Sequence, residues 1–233
     1  MKISVIIPVR DLGEKIVKCL DSVAAQDFDK NEYEVLISFD SCTDNSEQIV
    51  NEWHTAHSDV NMHCYKCGCK CPGGARNVGL DNAVGEYVMF IDGDDWLINT
   101  SAMTILYNAV QGHKAVRVTD HEVGGNMVKY SERPTLWLYF FSRELIGDDR
   151  FTDMLLCEDY EFVTRITSKS GYDEATVNEP LYFYNYDNER MLERIKTVIA
   201  ESRKREAEGK SPLYVCDGFI PESAKSKLKR WRS

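Results

Sequence analysis

GEYVMFIDGDDWL, residues Gly85 to Leu97, decides the fold. Val88, Met89, Phe90 and Ile91 form a short apolar run of the kind buried in an open α/β sheet, and Asp92, Gly93, Asp94 and Asp95 break it abruptly. Three carboxylates in so short a span, at the carboxyl end of a core strand, need cations, hydrogen bonds or water to offset desolvation and mutual repulsion. A divalent cation meets that need. Hard oxygen ligands suit Mg²⁺ or Mn²⁺, whose shells are commonly completed by phosphate oxygens of a substrate. Asp92 and Asp94 are therefore the candidate metal and phosphate-handling pair. The competing reading is an acidic turn in which Asp95 caps the next helix.

Upstream of this stretch, strands and helices alternate. Lys2 to Val9 is a β-branched run reaching Pro8, which suits a buried first strand. Asp11 with Glu14 forms a capping-box pattern, and Ile16, Leu20, Val23 and Ala24 follow at helical spacing. A second strand, Tyr33 to Phe39, runs into Asp40. Asp44 with Glu47 repeats the capping pattern before a helix carrying Ile49, Val50 and Trp53. Such alternation predicts a mostly parallel sheet with right-handed crossovers and a ligand site at the carboxyl ends of the strands. Arg10, Asp11, Asp40 and the Asp92 to Asp95 group stand at those ends. Val60 to Tyr65 is the expected third strand. After it, Gly73, Gly74, Ala75 and Arg76 open a helix whose unpaired amides and fixed positive charge form a plausible diphosphate cradle.

Downstream the alternation is less regular. A helix is expected over Ser101 to Gln111, and Lys114 to Thr119 with Met127 to Tyr130 read as hairpin arms flanking Gly124, Gly125 and Asn126. Leu136 to Phe141 reads as an aromatic strand, and Ser142 to Ile146 as a helical turn. Phe162, Val163 and Ile166 suit the core side of a helix beginning near Glu158 and Asp159, where the helix dipole favours negative charge. Leu181 to Tyr186 is a further aromatic strand. Glu189 to Glu208 reads as a helix ended by Gly209 and Pro212.

At 233 residues the chain suits one main domain, residues 1–188, with a helical, basic extension over 189–233. No apolar run approaches the roughly 20 residues that span a bilayer, and the amino terminus enters a strand directly, so a cytoplasmic protein is expected. The net charge of −10 argues against nonspecific binding to nucleic acid. It is unevenly spread: twelve basic and seven acidic residues from Glu189 onward give the tail +5 and leave the rest at −15. The final SAKSKLKRWRS, with Leu228 and Trp231 among five basic residues, is a candidate for peripheral contact with an anionic membrane surface or a polyanion. Of eight cysteines, Cys64, Cys67, Cys69 and Cys71 crowd into one loop beside His63. Free thiols are expected there, with a structural Zn²⁺ as the alternative, because two separated CxxC knuckles are missing.

Taken together, SVIIPVRD, SFDSCTDNS, GGARNVGL, GEYVMFIDGDDWL and CEDYEF resemble, in order, the motifs of the inverting family-2 glycosyltransferases of the GT-A fold, over roughly Ile3 to Tyr186. That resemblance implies a single Rossmann-like α/β domain with a central, mostly parallel mixed sheet. It also implies roles for matching positions. Pro8, Val9 and Arg10 would line the nucleotide, Asp40 would accept a hydrogen bond from the base, and Gly74 and Arg76 would hold the base or diphosphate. Asp92 and Gly93 would face the ribose, Asp94 with Asp92 would bind Mn²⁺ or Mg²⁺, and Asp159 would be the general base. The implied reaction moves one sugar from a nucleotide-diphosphate sugar, a uridine diphosphate sugar by preference, to a hydroxyl on a glycan, lipid-linked or other carrier. Trp96, Trp137 and Glu158 are candidate acceptor contacts, since a flat ring with a polar edge suits a pyranose.

The chain also departs from the pattern. Arg10 and Asp11 stand where Tyr-Asn is usual, Phe39 replaces the first acidic residue of its motif, and no histidine follows the Glu158-Asp159 helix. Two other classes compete. A sugar nucleotidyltransferase would carry a Gly-rich, Lys-containing loop after the first strand, which is missing. A non-catalytic module would use the cysteine cluster and basic tail to bind nucleic acid or a partner, a reading opposed by the intact Asp40, Asp92, Asp94 and Asp159.

Overall fold

The computed structural model describes residues 1–129, 135–154 and 156–185 and, in the carboxy-terminal segment, 196–198, 200–201, 203–205 and 207–209. The first half alternates as its apolar spacing requires: β1 (Ile3–Val9), α1 (Lys15–Ala24), β2 (Tyr33–Asp40), α2 (Ser46–Ala56), β3 (Met62–Cys67), α3 (Pro72–Asn82) and β4 (Tyr87–Phe90). A short β5 (Trp96–Leu97) precedes α4 (Ala102–Ala109), β6 (Ala115–Val118), β7 (Asp120–Val123) and β8 (Asn126–Lys129). A 3₁₀ turn at Leu136–Leu138 leads into β9 (Tyr139–Ser142) and α5 (Arg143–Ile146). The chain then forms α6 (Glu158–Thr167), β10 (Glu174–Val177) and β11 (Tyr182–Tyr184).

Seven strands make the main sheet, in the order β10-β6-β9-β4-β1-β2-β3. Its neighbours pair in parallel except at β9, which runs antiparallel to both β4 and β6. β1 is central, its Ile3, Val5, Ile6 and Ile7 fully buried between β2 and β4. Because the chain builds β1, β2 and β3 outward and then returns to place β4 on the other side of β1, the strand order reverses between β1 and β4. Right-handed crossovers then carry α3 to the face opposite α1 and α2. A crevice opens at that reversal, beyond the carboxyl ends of the strands. Pro8 to Arg10 and Asp92 to Asp94 border it.

The second sheet is small, in the order β5-β11-β7-β8. Here the structure corrects the expected hairpin. Lys114 to Thr119 is not an arm of it: Ala115–Val118 enters the main sheet between β9 and β10, and the arm paired with β8 is β7. Gly124 and Gly125, at φ +55° and +83°, form the two-residue turn that matches the twist of paired strands. Tyr130 lies outside the described residues. β3, at the edge of the main sheet, begins and ends two residues later than expected, which adds Cys67 to the strand that already held Cys64.

Neither capping box forms. The Asp11 carboxylate instead accepts the Thr43 N–H (2.6 Å) and hydroxyl (3.1 Å) and the Asp44 N–H (3.3 Å), tying the β1–α1 loop to the β2–α2 loop. Asp44 in turn accepts the Gly13 N–H (2.9 Å) and the Ser46 N–H (2.9 Å). At Asp11 local capping is outcompeted because the parallel sheet brings the two loops side by side, while Asp44 serves both the other loop and the first residue of α2. In the carboxy-terminal segment the described residues from 196 to 207 are helical, Val198 is buried, and Gly209 follows at φ +72°. The start of this helix and the final SAKSKLKRWRS lie outside the described residues. No described helix is long and apolar enough to cross a membrane.

One polar group crosses the core. Glu34, 3% exposed, accepts the Ser4 hydroxyl (2.6 Å) and the Val84 N–H (2.8 Å), while the Ser4 hydroxyl oxygen accepts the Gly85 N–H (2.8 Å). β1, β2 and the turn into β4 are fastened by this one carboxylate. Glu34→Met keeps the volume and removes the acceptor, so equilibrium urea unfolding is expected to show a loss of about 2–4 kcal/mol from the stranded donors.

Candidate active site

The crevice is a cavity of about 370 Å³ lined by the carboxyl ends of β1, β2 and β4, the start of α3, the end of β11 and the carboxy-terminal helix. Pro8, Val9, Arg10, Asp40, Arg76, Asp92, Gly93 and Asp94 all lie on its wall. Lys70, Tyr184, Asn185, Thr197 and Val198 join them, and the sequence had singled out none of these five. Gly74 lies behind the wall, its N–H donated to the Cys71 sulfur (3.3 Å) at the start of α3.

At one end, Asp40 is buried at 3% exposure. Its Oδ1 accepts the Lys70 N–H (2.7 Å) and a long contact from the Cys67 thiol (3.9 Å), and its Oδ2 faces the Arg10 guanidinium at 3.7 Å. Lys70 sits in the left-handed region, φ +57°, which turns its N–H onto the carboxylate.

Beyond β4 the chain keeps its alternation. Asp92 and Asp94 are half-buried, with the buried Gly93 between them also on the cavity wall, whereas the Asp95 side chain turns inward. A Cβ on Gly93 would fall 2.5 Å from Leu12 and 3.0 Å from Ile16, so the acidic turn lies directly on the loop and helix that follow β1. Asp95 does not cap a helix, since α4 begins at Ala102. It accepts the Tyr182 hydroxyl (2.6 Å) and the Asn185 N–H (2.8 Å), and the Tyr182 oxygen accepts the Asp92 N–H (3.1 Å). Burial, followed by repulsion from Asp92, pushes the Asp95 carboxyl up to about 8. Asp95 and Tyr182 thus lock the acidic turn to β11. The signal for Asp95 was its place in the Asp-Gly-Asp-Asp run; Tyr182 has only a strand's alternation.

Arg76 is 5% exposed and spans the cavity floor. One guanidinium nitrogen donates to Asp92 Oδ1 (2.6 Å) and the other to Glu158 Oε1 (2.9 Å). Burial works against its charge, but Asp92, Glu158 and Asp159 outweigh that, so its pKa is raised. Both of its terminal nitrogens are engaged, so Arg76 positions the acidic residues around it. Glu158, expected at the acceptor, is instead buried at 3% exposure on the inner side of this bridge.

Asp159, next in the first turn of α6, is half-buried and feels the same cluster. Burial and the neighbouring Glu158 charge push its carboxyl up to about 6, against the opposing pull of Arg76. A carboxyl in that range is a stronger base than an ordinary one yet ionised at neutral pH.

The two tryptophans are not open platforms. Trp96 stacks on Phe183 (centroids 3.9 Å, 13°) with the Lys18 ammonium 3.3 Å from its ring centroid, so both faces are covered. Phe183 alternates with Tyr182 and Tyr184 on β11, which puts Trp96 on the face of that strand away from the cavity-lining Tyr184. Trp137 stacks on Tyr182 (4.7 Å) and Tyr184 (5.4 Å) and backs the cavity wall. The four loop cysteines do not converge on a zinc site. Three positions apart on β3, Cys64 and Cys67 point to opposite faces, and Cys71 is taken up in capping α3. Among the described residues, no group of three or more His, Cys, Asp or Glu side chains is arranged to hold a metal ion.

The family model for glycosyl transferase family 2 matches residues 4–170. A poly(ribitol-phosphate) beta-glucosyltransferase of Bacillus spizizenii is 36% identical over 108 residues, 46% of this chain and 17% of that protein. The poly(ribitol-phosphate) beta-N-acetylglucosaminyltransferase TarS of Staphylococcus aureus is 38% identical over 97 residues, 42% of this chain and again 17% of the relative. The chain thus matches under a fifth of each of these relatives. S. aureus TarS 1–349 in complex with UDP-GlcNAc superposes with a TM-score of 0.72 at 23% identity, covering 84% of this chain and 65% of that one. The mannosyltransferase PcManGT of Pyrobaculum calidifontis, solved with GDP-Man and Mn²⁺, gives 0.68 at 20% identity, over 91% and 66%.

Removing the Arg76 charge strands two carboxylates. Arg76→Met is expected to cost about 3–5 kcal/mol in urea unfolding, and adding Glu158→Gln to recover part of it, as a double-mutant cycle would read.

Proposed function

The chain belongs to glycosyl transferase family 2, and on that premise we propose that it moves one sugar from a nucleotide-diphosphate sugar to a hydroxyl acceptor, with inversion at the anomeric carbon. The observation that carries this reading is Asp159. Its carboxyl is not on the cavity wall itself, but it follows Glu158, the residue Arg76 grips, in the first turn of α6. It feels the charges of Arg76 and Asp92, which are on that wall, and its pKa is pushed up to about 6. A uridine diphosphate donor is favoured by the structural neighbour solved with UDP-GlcNAc.

In this reading Asp40 accepts a base N–H at Oδ2, since Oδ1 is already committed to the Lys70 N–H. Arg10 and the Lys70 side chain supply positive charge for the diphosphate, and Arg76, which lines the cavity, keeps N–H donors beyond those it gives to Asp92 and Glu158. Asp159 takes the acceptor hydroxyl proton at a carboxylate oxygen, and the hydroxyl oxygen attacks the anomeric carbon from the face opposite the diphosphate. Arg76 keeps Asp92 and the start of α6 in fixed relation, so that base and donor meet in one geometry.

Asp94, with Asp92, would hold Mn²⁺ or Mg²⁺. The donor set fits: such an ion commonly takes one or two carboxylates and completes its shell with phosphate and water. When bound, the ion neutralises the charge of the departing diphosphate. The acceptor is a hydroxyl-bearing glycoconjugate in this proposal.

A panel of nucleotide sugars, screened with Mn²⁺ for a rise in melting temperature, tests the donor assignment; no shift with any member would sink it. Asp94→Asn, or chelation of the ion, should abolish the metal-dependent part of that shift. Asp159→Asn is expected to keep nucleotide binding and lose about 10²–10⁴-fold in transfer rate, read by release of nucleoside diphosphate. In the parent enzyme the base form of Asp159 accumulates as pH rises through about 6. The transfer rate should therefore climb across that pH and level off above it; a rate indifferent to pH between 5 and 7 would remove Asp159 from the role.

A further inference from the structure

The loop between β3 and α3 carries Cys67, Cys69 and Cys71 at every second position, and it holds the nucleotide end of the cavity together. Lys70, between the last two, donates its N–H to Asp40 Oδ1 at 2.7 Å, and the Cys67 thiol approaches the same oxygen at 3.9 Å. Cys71 is buried, with its sulfur accepting the Gly74 N–H at 3.3 Å. Cys67 and Cys69 are different. Two positions apart on the same loop, their thiols are near enough to influence each other, Cys67 is partly exposed, and Cys69 is exposed. The missing side chain of Gly74 makes room for this packing: a Cβ there would lie 2.5 Å from Cys69 Cβ and 3.1 Å from the sulfurs of both Cys69 and Cys71. Gly68, between the two thiols, has open space beside it, so the loop is able to tighten.

We propose that Cys67 and Cys69 form a reversible disulfide that disconnects the loop from Asp40 and weakens donor binding, making the cavity sensitive to thiol redox state. This rests on the reading of the cavity as the nucleotide-sugar site. In the reaction two S–H bonds break and one S–S bond forms. The two electrons and two protons pass to a low-molecular-weight disulfide, which is reduced to two thiols. Closing so small a ring pulls Cys67 and Cys69 together, removes the Cys67 thiol proton, and drags the adjacent Lys70 N–H from Asp40. A bridge between such close positions is strained, and strained or exposed disulfides are the readily reduced ones. The Cys69 sulfur turns inward on Gly74. Desolvation of the sulfur there, with the neighbouring Cys67 thiol, pushes the Cys69 thiol up to about 12 although the residue as a whole is exposed, which makes the exchange slow at neutral pH.

The experiment equilibrates the full chain overnight with oxidised glutathione or with dithiothreitol, blocks remaining thiols with iodoacetamide, and measures UDP affinity with Mn²⁺ alongside tryptic peptide masses. Cleavage after Lys66 and Lys70 places Cys67 and Cys69 in the peptide CGCK and Cys71 in CPGGAR. The expected oxidised product is CGCK lacking two hydrogens and unalkylated, with UDP bound about tenfold more weakly and affinity restored by dithiothreitol. Cys69→Ala, and Cys67→Ala as a second variant, should bind UDP equally under both conditions. Full alkylation of CGCK after oxidation, its cross-linking to CPGGAR, or unchanged UDP affinity of the bridged protein overturns the proposal. A reduced protein that binds no nucleoside diphosphate overturns the reading of the cavity itself. Intact UDP binding without the CGCK bridge overturns the switch alone.

Discussion

Arg76 is the tie on which the candidate site depends. Its guanidinium joins the turn after β4, through Asp92, to the first turn of α6, through Glu158. Those two segments are far apart in the chain and carry the residues proposed for the ion and for the base. A buried guanidinium with a carboxylate on each side is costly to assemble, because all three groups give up hydration. The gain lies in geometry: the fork of Arg76 fixes the direction of both carboxylates, which a lysine ammonium would not do.

The same cluster sets the electrostatics. Asp92, Asp94, Asp95, Glu158 and Asp159 crowd a small region, and Arg76 is the buried cation among them. Where Arg76 is in contact the carboxylates are paired; where it is not, burial and repulsion raise the carboxyl's pKa, as at Asp95 and Asp159. The acidic turn is therefore an arrangement held under repulsion. The bonds from Tyr182 and Asn185 to Asp95 keep it in place.

The carboxy-terminal helix completes the wall. Thr197 and Val198 line the cavity together with Tyr184 and Asn185, so the segment read from its charge as an appendage contributes to the site.

The fold and the outline of the site were legible in the sequence where the signal is local. Apolar runs ended by polar residues located β1, β2 and β4, and the carboxyl-end rule then singled out Arg10, Asp11, Asp40 and the Asp92 to Asp95 group. Of these, Arg10, Asp40, Asp92, Gly93 and Asp94 line one cavity, while Asp11 ties two loops and Asp95 turns to Tyr182. What depends on which segments become neighbours was not legible. The capping patterns at Asp11 and Asp44 were spent on a bond between loops, Trp96 was covered by Phe183 and Lys18, and Glu158 was drawn inward by Arg76. The partners of Asp95 and the role of Lys70 as a backbone donor to Asp40 belong to the same class. Periodicity and composition act along the chain, so the sequence by itself determined the elements and the ends at which chemistry collects. Hydrogen bonds, ring stacking and charge pairing act across space, so only the tertiary structure decided which side chains face the cavity and which hold it in shape.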